Sequence, residues 1–128
     1  MTLGRQAISS NQAPKPVGPY SQGVLAGEVL YLSGQIPLDP ATGQVLEGDV
    51  RAQAARVLAN LRAVLEAANL SLASVVRTTV YVVDLADFPV VNQVYLETFV
   101  EPYPARSTVQ VSALPAGARI EIDAIAVR

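Results

Sequence analysis

The sequence predicts an α+β fold, one mixed β-sheet with two helices packed on one face, formed by a single domain over residues 1–128. Three observations carry this expectation. Apolar residues recur at three- and four-residue steps between positions 49 and 69, the period of an amphipathic helix. Residues 75–83 are β-branched almost throughout, which suits a strand. A chain of 128 residues supports one core and leaves no room for a second domain.

The elements follow in order. The opening segment to Pro19 is rich in Ser, Asn and Pro, with a short strand near Arg5 to Ile8 and then a loop. Two extended runs, Ser21 to Ala26 and Val29 to Ser33, meet at Gly27-Glu28, a two-residue connection that reads as a hairpin of type I′ or II′. Residues 34–48 carry Gly34, Pro37, Pro40, Gly43 and Gly48 and read as a surface loop. From Asp49 to Asn69, Val50, Ala54, Val57, Leu58, Leu61, Val64, Leu65 and Ala68 form one apolar stripe, and Arg51, Gln53, Arg56, Arg62 and Glu66 fall off it. Asp49 suits the N-cap, and Asn69 suits a left-handed C-terminal stop. Val75 to Val83 is a strand whose two faces, Val76/Thr78/Val80/Val82 and Val75/Thr79/Tyr81/Val83, are both largely apolar, as in a strand covered on both sides. A second helix runs from near Leu85 to about Val100 with Pro89 in its first turn, where the missing N–H costs little. Strands at Arg106 to Ala113 and Arg119 to Val127 close the chain, separated by Pro115-Ala116-Gly117. The order is β-β-β-α-β-α-β-β. If the second sheet face is apolar too, another subunit must cover it.

Composition narrows the chemistry. Hydrophobic residues make up 51% of the chain and charged residues only 16%, a low share for so small a domain, so part of the apolar surface is expected to face other copies in a homo-oligomer. Net charge is −2, Lys15 is the single lysine, and no run of cations exists, which argues against nucleic acid as a partner. The apolar runs are too short to span a bilayer and no apolar signal core stands at the N-terminus, so a cytoplasmic location without membrane contact is expected. Cysteine and histidine are both absent, which excludes thiol nucleophiles, Ser-His-Asp triads and imidazole- or thiolate-based zinc sites on this chain. The glycines do not fall in phosphate-cradling spacing. Catalysis must run on arginine, carboxylates, hydroxyls, backbone groups and water.

Several residues then stand out. Arg106 opens a strand, so its guanidinium projects from a sheet end, where its fork suits either a substrate carboxylate or a surface glutamate. Period-two geometry puts Arg119, Glu121 and Asp123 on one sheet face and Ile120 and Ile122 on the other. That face is either solvated or, beside the strand carrying Arg106, the place of a carboxyl whose pKa burial would raise for proton donation. Tyr20 begins an extended run, Ser33-Gly34-Gln35 ends one, and Asn92 lies a turn or two into the second helix; packing, a turn and a helix surface are the alternatives for them.

Gly18-Pro-Tyr-Ser-Gln22, Tyr31-Leu-Ser-Gly-Gln-Ile-Pro37, Thr78-Thr-Val-Tyr81, Pro104-Ala-Arg-Ser107 and Ile120-Glu-Ile122, in this order, resemble the reactive intermediate deaminase (RidA/YjgF) family from Ala13 to Arg128. The resemblance implies a chorismate-mutase-like α+β fold assembled as a homotrimer, with active sites in the clefts between subunits. It implies hydrolysis of enamine and imine intermediates (2-aminoacrylate with its tautomer 2-iminopropanoate, and 2-iminobutanoate) to 2-oxo acids and ammonia, with no cofactor and no metal. The family's carboxylate-binding arginine falls on Arg106 and its acidic residue on Glu121, the pair expected to be catalytic. Its substrate pocket falls on Tyr20, Ser33, Gly34, Asn92 and Thr108 beside Arg106. Many relatives carry cysteine where this chain has Thr108, which removes a thiol that the hydrolysis does not need. A carboxylate-binding or regulatory trimer without deaminase activity is the alternative. Ribonuclease activity, also attached to the family, fits poorly with the acidic balance and the missing histidine, and chorismate mutase shares the fold type.

Overall fold

The computed structural model describes residues 4–128. Six strands and two helices follow in the order read from the sequence: β1 (Arg5–Ile8), β2 (Gly23–Ala26), β3 (Val29–Gln35), α1 (Val50–Ala67), β4 (Val75–Val82), α2 (Phe88–Thr98), β5 (Ala105–Gln110) and β6 (Ile120–Val127). They form one mixed sheet in the order β1-β2-β3-β6-β4-β5, in which only the β4/β5 pair is parallel. The expected sheet with two helices is therefore the fold.

Local chemistry explains the element ends. The Asp49 carboxylate accepts from the Ala52 N–H at 2.9 Å and caps α1. Asn69 takes φ 60°, and the Leu70 and Asn69 amides donate back to the Leu65 and Glu66 carbonyls, a Schellman stop. Positive φ at the β2–β3 turn is confined to Gly27, which selects type II′ over type I′. A 3-10 turn over Leu85–Asp87 precedes α2, so the helix proper starts three residues later than the periodicity suggests and places Pro89 in its first turn.

The core lies between the helices and one sheet face. Val57, Leu61, Val64 and Leu65 of α1 meet Leu30, Val80, Val82, Ile120 and Ile122 of the sheet, all at 2% exposure or less. At about 25 cal/mol per Å² this apolar burial is the main driving term for the fold. Gln53 departs from its expected place off the stripe, for it is buried. Its amide accepts from the Arg119 N–H at 3.0 Å and donates to the Leu46 carbonyl at 3.3 Å. Asn60, fully buried, donates to the Ile36 and Leu38 carbonyls. These amides tie the loop after β3 onto the helix, because buried loop carbonyls must find donors.

Strand β4 does not alternate as expected. A register irregularity between Val75 and Arg77 puts Val75 on the buried face with Thr78, Val80 and Val82, and leaves Val76 at 44% exposure. The opposite sheet face carries Tyr31, Thr79, Tyr81, Val109, Glu121, Asp123 and Ile125, partly apolar and without a covering element among the described residues.

Candidate functional site

Arg106 stands beside Thr78 in the β4/β5 register, and side-by-side residues of neighbouring strands share a face. Thr78 is fully buried under the helices, so Arg106 and, two residues on, Thr108 point to the helix side. There the Arg106 guanidinium carbon lies 4.8 Å from the centre of the Tyr95 ring and 5.3 Å from that of Phe88, both on α2. The Arg106 guanidinium makes no ion pair and no hydrogen bond among the described residues, and what it meets is the two rings. Its fork opens into a cavity of about 470 Å³ whose walls are Asn92, Tyr95, Leu96, Tyr103 and Pro104. An unpaired guanidinium over aromatic faces in a largely apolar cleft is a ready carboxylate receptor.

Thr108 adds a second free group. Its Oγ1 is buried and has no hydrogen-bond partner among the described residues. Buried hydroxyls are ordinarily satisfied, so this one, two positions from Arg106, is available to bond a polar atom brought beside it.

Glu121 lies elsewhere. It pairs with Tyr81 in the β4/β6 register and occupies the face away from the helices. With Tyr20, Ser33, Gly34, Gln35, Lys15 and Pro115 it lines a second cavity, of about 430 Å³. Burial, and secondarily the nearby Asp123 carboxylate, push its pKa above the ordinary glutamate value. Asp123 itself accepts from the Tyr81 hydroxyl at 3.1 Å. Gly34 leaves room for the carboxylate: a β-carbon there would stand 2.2 Å from Glu121 Oε2. Ser33 is already engaged, its hydroxyl donating to the Ser21 carbonyl at 2.6 Å, while Tyr20 is 51% exposed at the cavity wall. The wall before β2 is held by Gln22, whose buried amide accepts from the Ser10 N–H at 2.6 Å and donates to the Ser10 and Pro14 carbonyls at 3.1 and 2.9 Å.

The sequence-derived residues thus fall into two groups, Arg106 with Asn92 and Thr108 on one side of the sheet, and Tyr20, Ser33, Gly34 and Glu121 on the other. The expectation that Glu121 neighbours the strand carrying Arg106 is corrected. β4 lies between β6 and β5, and the sheet itself separates the two side chains. One subunit does not bring them together. Phe88 and Tyr95 were not singled out from the sequence, although Phe88, Asn92 and Tyr95 recur at four- and three-residue steps and so share a helix face. Among the described residues no helix is long and apolar enough to cross a membrane, and no group of three or more acidic side chains is gathered as for a metal ion.

The family model described as Endoribonuclease L-PSP matches residues 10–128. The chain is 58% identical to Protein DfrA of Myxococcus xanthus, over 98% of this chain and 97% of that protein. It is 45% identical to the human 2-iminobutanoate/2-iminopropanoate deaminase, over 99% of this chain and 93% of the relative. Among solved structures, E. coli TdcF with bound serine superposes with a TM-score of 0.92 at 44% identity, covering 96% of this chain and 98% of that one.

Proposed function

The chain belongs to the Endoribonuclease L-PSP family, that of the RidA and YjgF proteins, and from that premise we propose that it is an imine deaminase hydrolysing small 2-imino acids, 2-iminopropanoate and 2-iminobutanoate, to 2-oxo acids and ammonia. The observation that carries the reading is the Arg106 fork, free of any acidic partner among the described residues and open to a cavity of about 470 Å³. That a relative of the same fold is described with bound serine, an amino acid with a carboxylate of this kind, supports it.

In this reading the active unit is a homotrimer, and Glu121 of one copy faces Arg106 of the next across a cleft between subunits. The uncovered, partly apolar sheet face with Tyr31, Tyr81, Val109 and Ile125 supports assembly, because such a face gains by burial. Arg106 clamps the carboxylate through two parallel charge-assisted bonds, with Asn92 beside it. Clamping fixes the imine carbon and lowers the entropic barrier to attack. Glu121, kept protonated further up the pH scale than an ordinary glutamate, protonates the imine nitrogen. Water, steadied by the polar groups at Thr108, adds to the carbon and loses a proton to the glutamate, giving a carbinolamine. The C–N bond then breaks as the nitrogen takes up that proton; ammonia leaves, and the hydroxyl's proton is lost as the 2-oxo acid forms. No step calls for a metal or an organic cofactor. Protection against reactive imines released by other enzymes is the cellular role that follows.

The family model's description points to RNA cleavage, a reading that net charge −2, a single lysine with no cationic run and the absence of histidine disfavour. The test is competition between the purified protein and semicarbazide for imine generated by an amino-acid dehydratase, read as free 2-oxo acid. Wild-type protein is expected to divert imine from the trap, and Arg106→Lys to fail, since a point charge does not reproduce the fork. Near-normal rates for Arg106→Lys would refute the clamp. No competition by the wild type with any imine would leave a carboxylate-binding trimer without deaminase activity.

A further inference from the structure

Arginine has many rotamers, and a carboxylate clamp works only if its fork is already aimed. No carboxylate or backbone carbonyl holds Arg106 among the described residues. It lies instead over aromatic rings, those of Tyr95 and Phe88, at 4.8 and 5.3 Å from the guanidinium carbon. Tyr95 is itself fixed. It is 6% exposed, its ring packs against Phe99 at 4.8 Å between centroids, and its hydroxyl hydrogen-bonds the fully buried Thr78 hydroxyl. Thr78 is the register partner of Arg106. The strand residue beside the arginine therefore seats the ring over which the arginine lies.

We propose that Tyr95, seated by Thr78 and assisted by Phe88, is the positioning residue that aims the Arg106 fork into the cavity before substrate arrives. Aromatic faces suit this task. They attract the guanidinium without occupying its N–H donors, which stay free for the carboxylate, whereas an acidic partner would compete for them. The helix spacing of Phe88, Asn92 and Tyr95 places both rings and the cavity-lining amide on one face of α2, so the helix presents arginine holder and substrate wall as one unit. The inference rests on the reading of Arg106 as a carboxylate clamp.

The test compares the affinity of the purified full chain for pyruvate with that for its neutral amide, pyruvamide, by NMR titration. A merely structural role lowers both affinities alike, whereas misaiming the fork erodes the preference for the carboxylate. Tyr95→Leu is expected to reduce that preference about tenfold, the scale of a cation–π contact in a partly desolvated setting. Tyr95→Phe keeps the ring but loses the Thr78 seat, so it is expected to fall between, a loss of about threefold; a loss as large as that of Tyr95→Leu would overturn the role of the ring face. Phe88→Leu, at a less buried position, should lower the preference several-fold and serves if Tyr95→Leu does not fold. An unchanged preference in the folded leucine variants overturns the inference alone. Failure of the wild-type chain to prefer pyruvate overturns the inference and the clamp together.

Discussion

Gly34→Ala is expected to remove most of the activity while leaving the fold intact. Gly34 does not have a positive φ, so alanine adopts its backbone without strain, and the smaller entropy of the unfolded chain adds about 0.4–1 kcal/mol of stability. The conflict is with one side chain. The new β-carbon would lie 2.2 Å from Glu121 Oε2, 2.9 Å from Cδ and 3.2 Å from Cγ, and ordinary contact begins at 3.4 Å, so the carboxylate must retreat by about 1.2 Å. A misplacement of about 1 Å costs on the order of 10²-fold in rate, about 2.7 kcal/mol of barrier. The assay is the semicarbazide competition with a thermal melt of the same samples. A loss of activity on that scale with an unchanged or raised Tm is expected. Wild-type rates at unchanged Tm would refute a catalytic place for the Glu121 carboxyl, and a collapse in Tm would show that the glycine serves folding instead.

Two further predictions concern the same cavity. Because the folded chain holds the Glu121 proton above the ordinary glutamate range, it binds more protons than the unfolded chain as pH rises from about 4.5. Stability present below that pH is lost as pH passes through the folded value; Glu121→Gln should flatten this loss in urea unfolding at stepped pH, and an identical slope would refute the raised pKa. Gln22→Leu strands the Ser10 N–H and the Ser10 and Pro14 carbonyls beside an apolar side chain, at a cost of about 2–3 kcal/mol. The denaturation midpoint should fall at constant m-value, with faster hydrogen exchange at Ser10; unaltered exchange there would show that the segment is held by other contacts.

Much of the fold was legible because its signals are local. The α1 stripe, the Asp49 cap and the Asn69 stop each depend on residues within a turn or two of one another, and all three stand as read. Boundaries were less legible. β5 ends at Gln110, not Ala113, and β3 runs on to Gln35, because strands end where partners end and partners are distant in sequence. The register irregularity at Val76 left no trace in composition, since Val75 and Val76 are the same residue type. Gln53 and Asn60 were unreadable as buried groups, because their burial depends on carbonyls of a loop that folds back from outside the helix.

By itself the sequence determined the chemistry available to this chain and the residues proposed to perform it: no imidazole, no thiol, an arginine at a strand start and a glutamate alternating with isoleucines. Residue types and their spacing carry that information directly. The tertiary structure alone decided which of these residues meet. β6 crosses back to lie between β3 and β4, and so puts β4 between Glu121 and Arg106 and the sheet between their side chains. Strand order is set by burial of whole faces against the helices, a sum over the entire core that no short stretch of sequence contains.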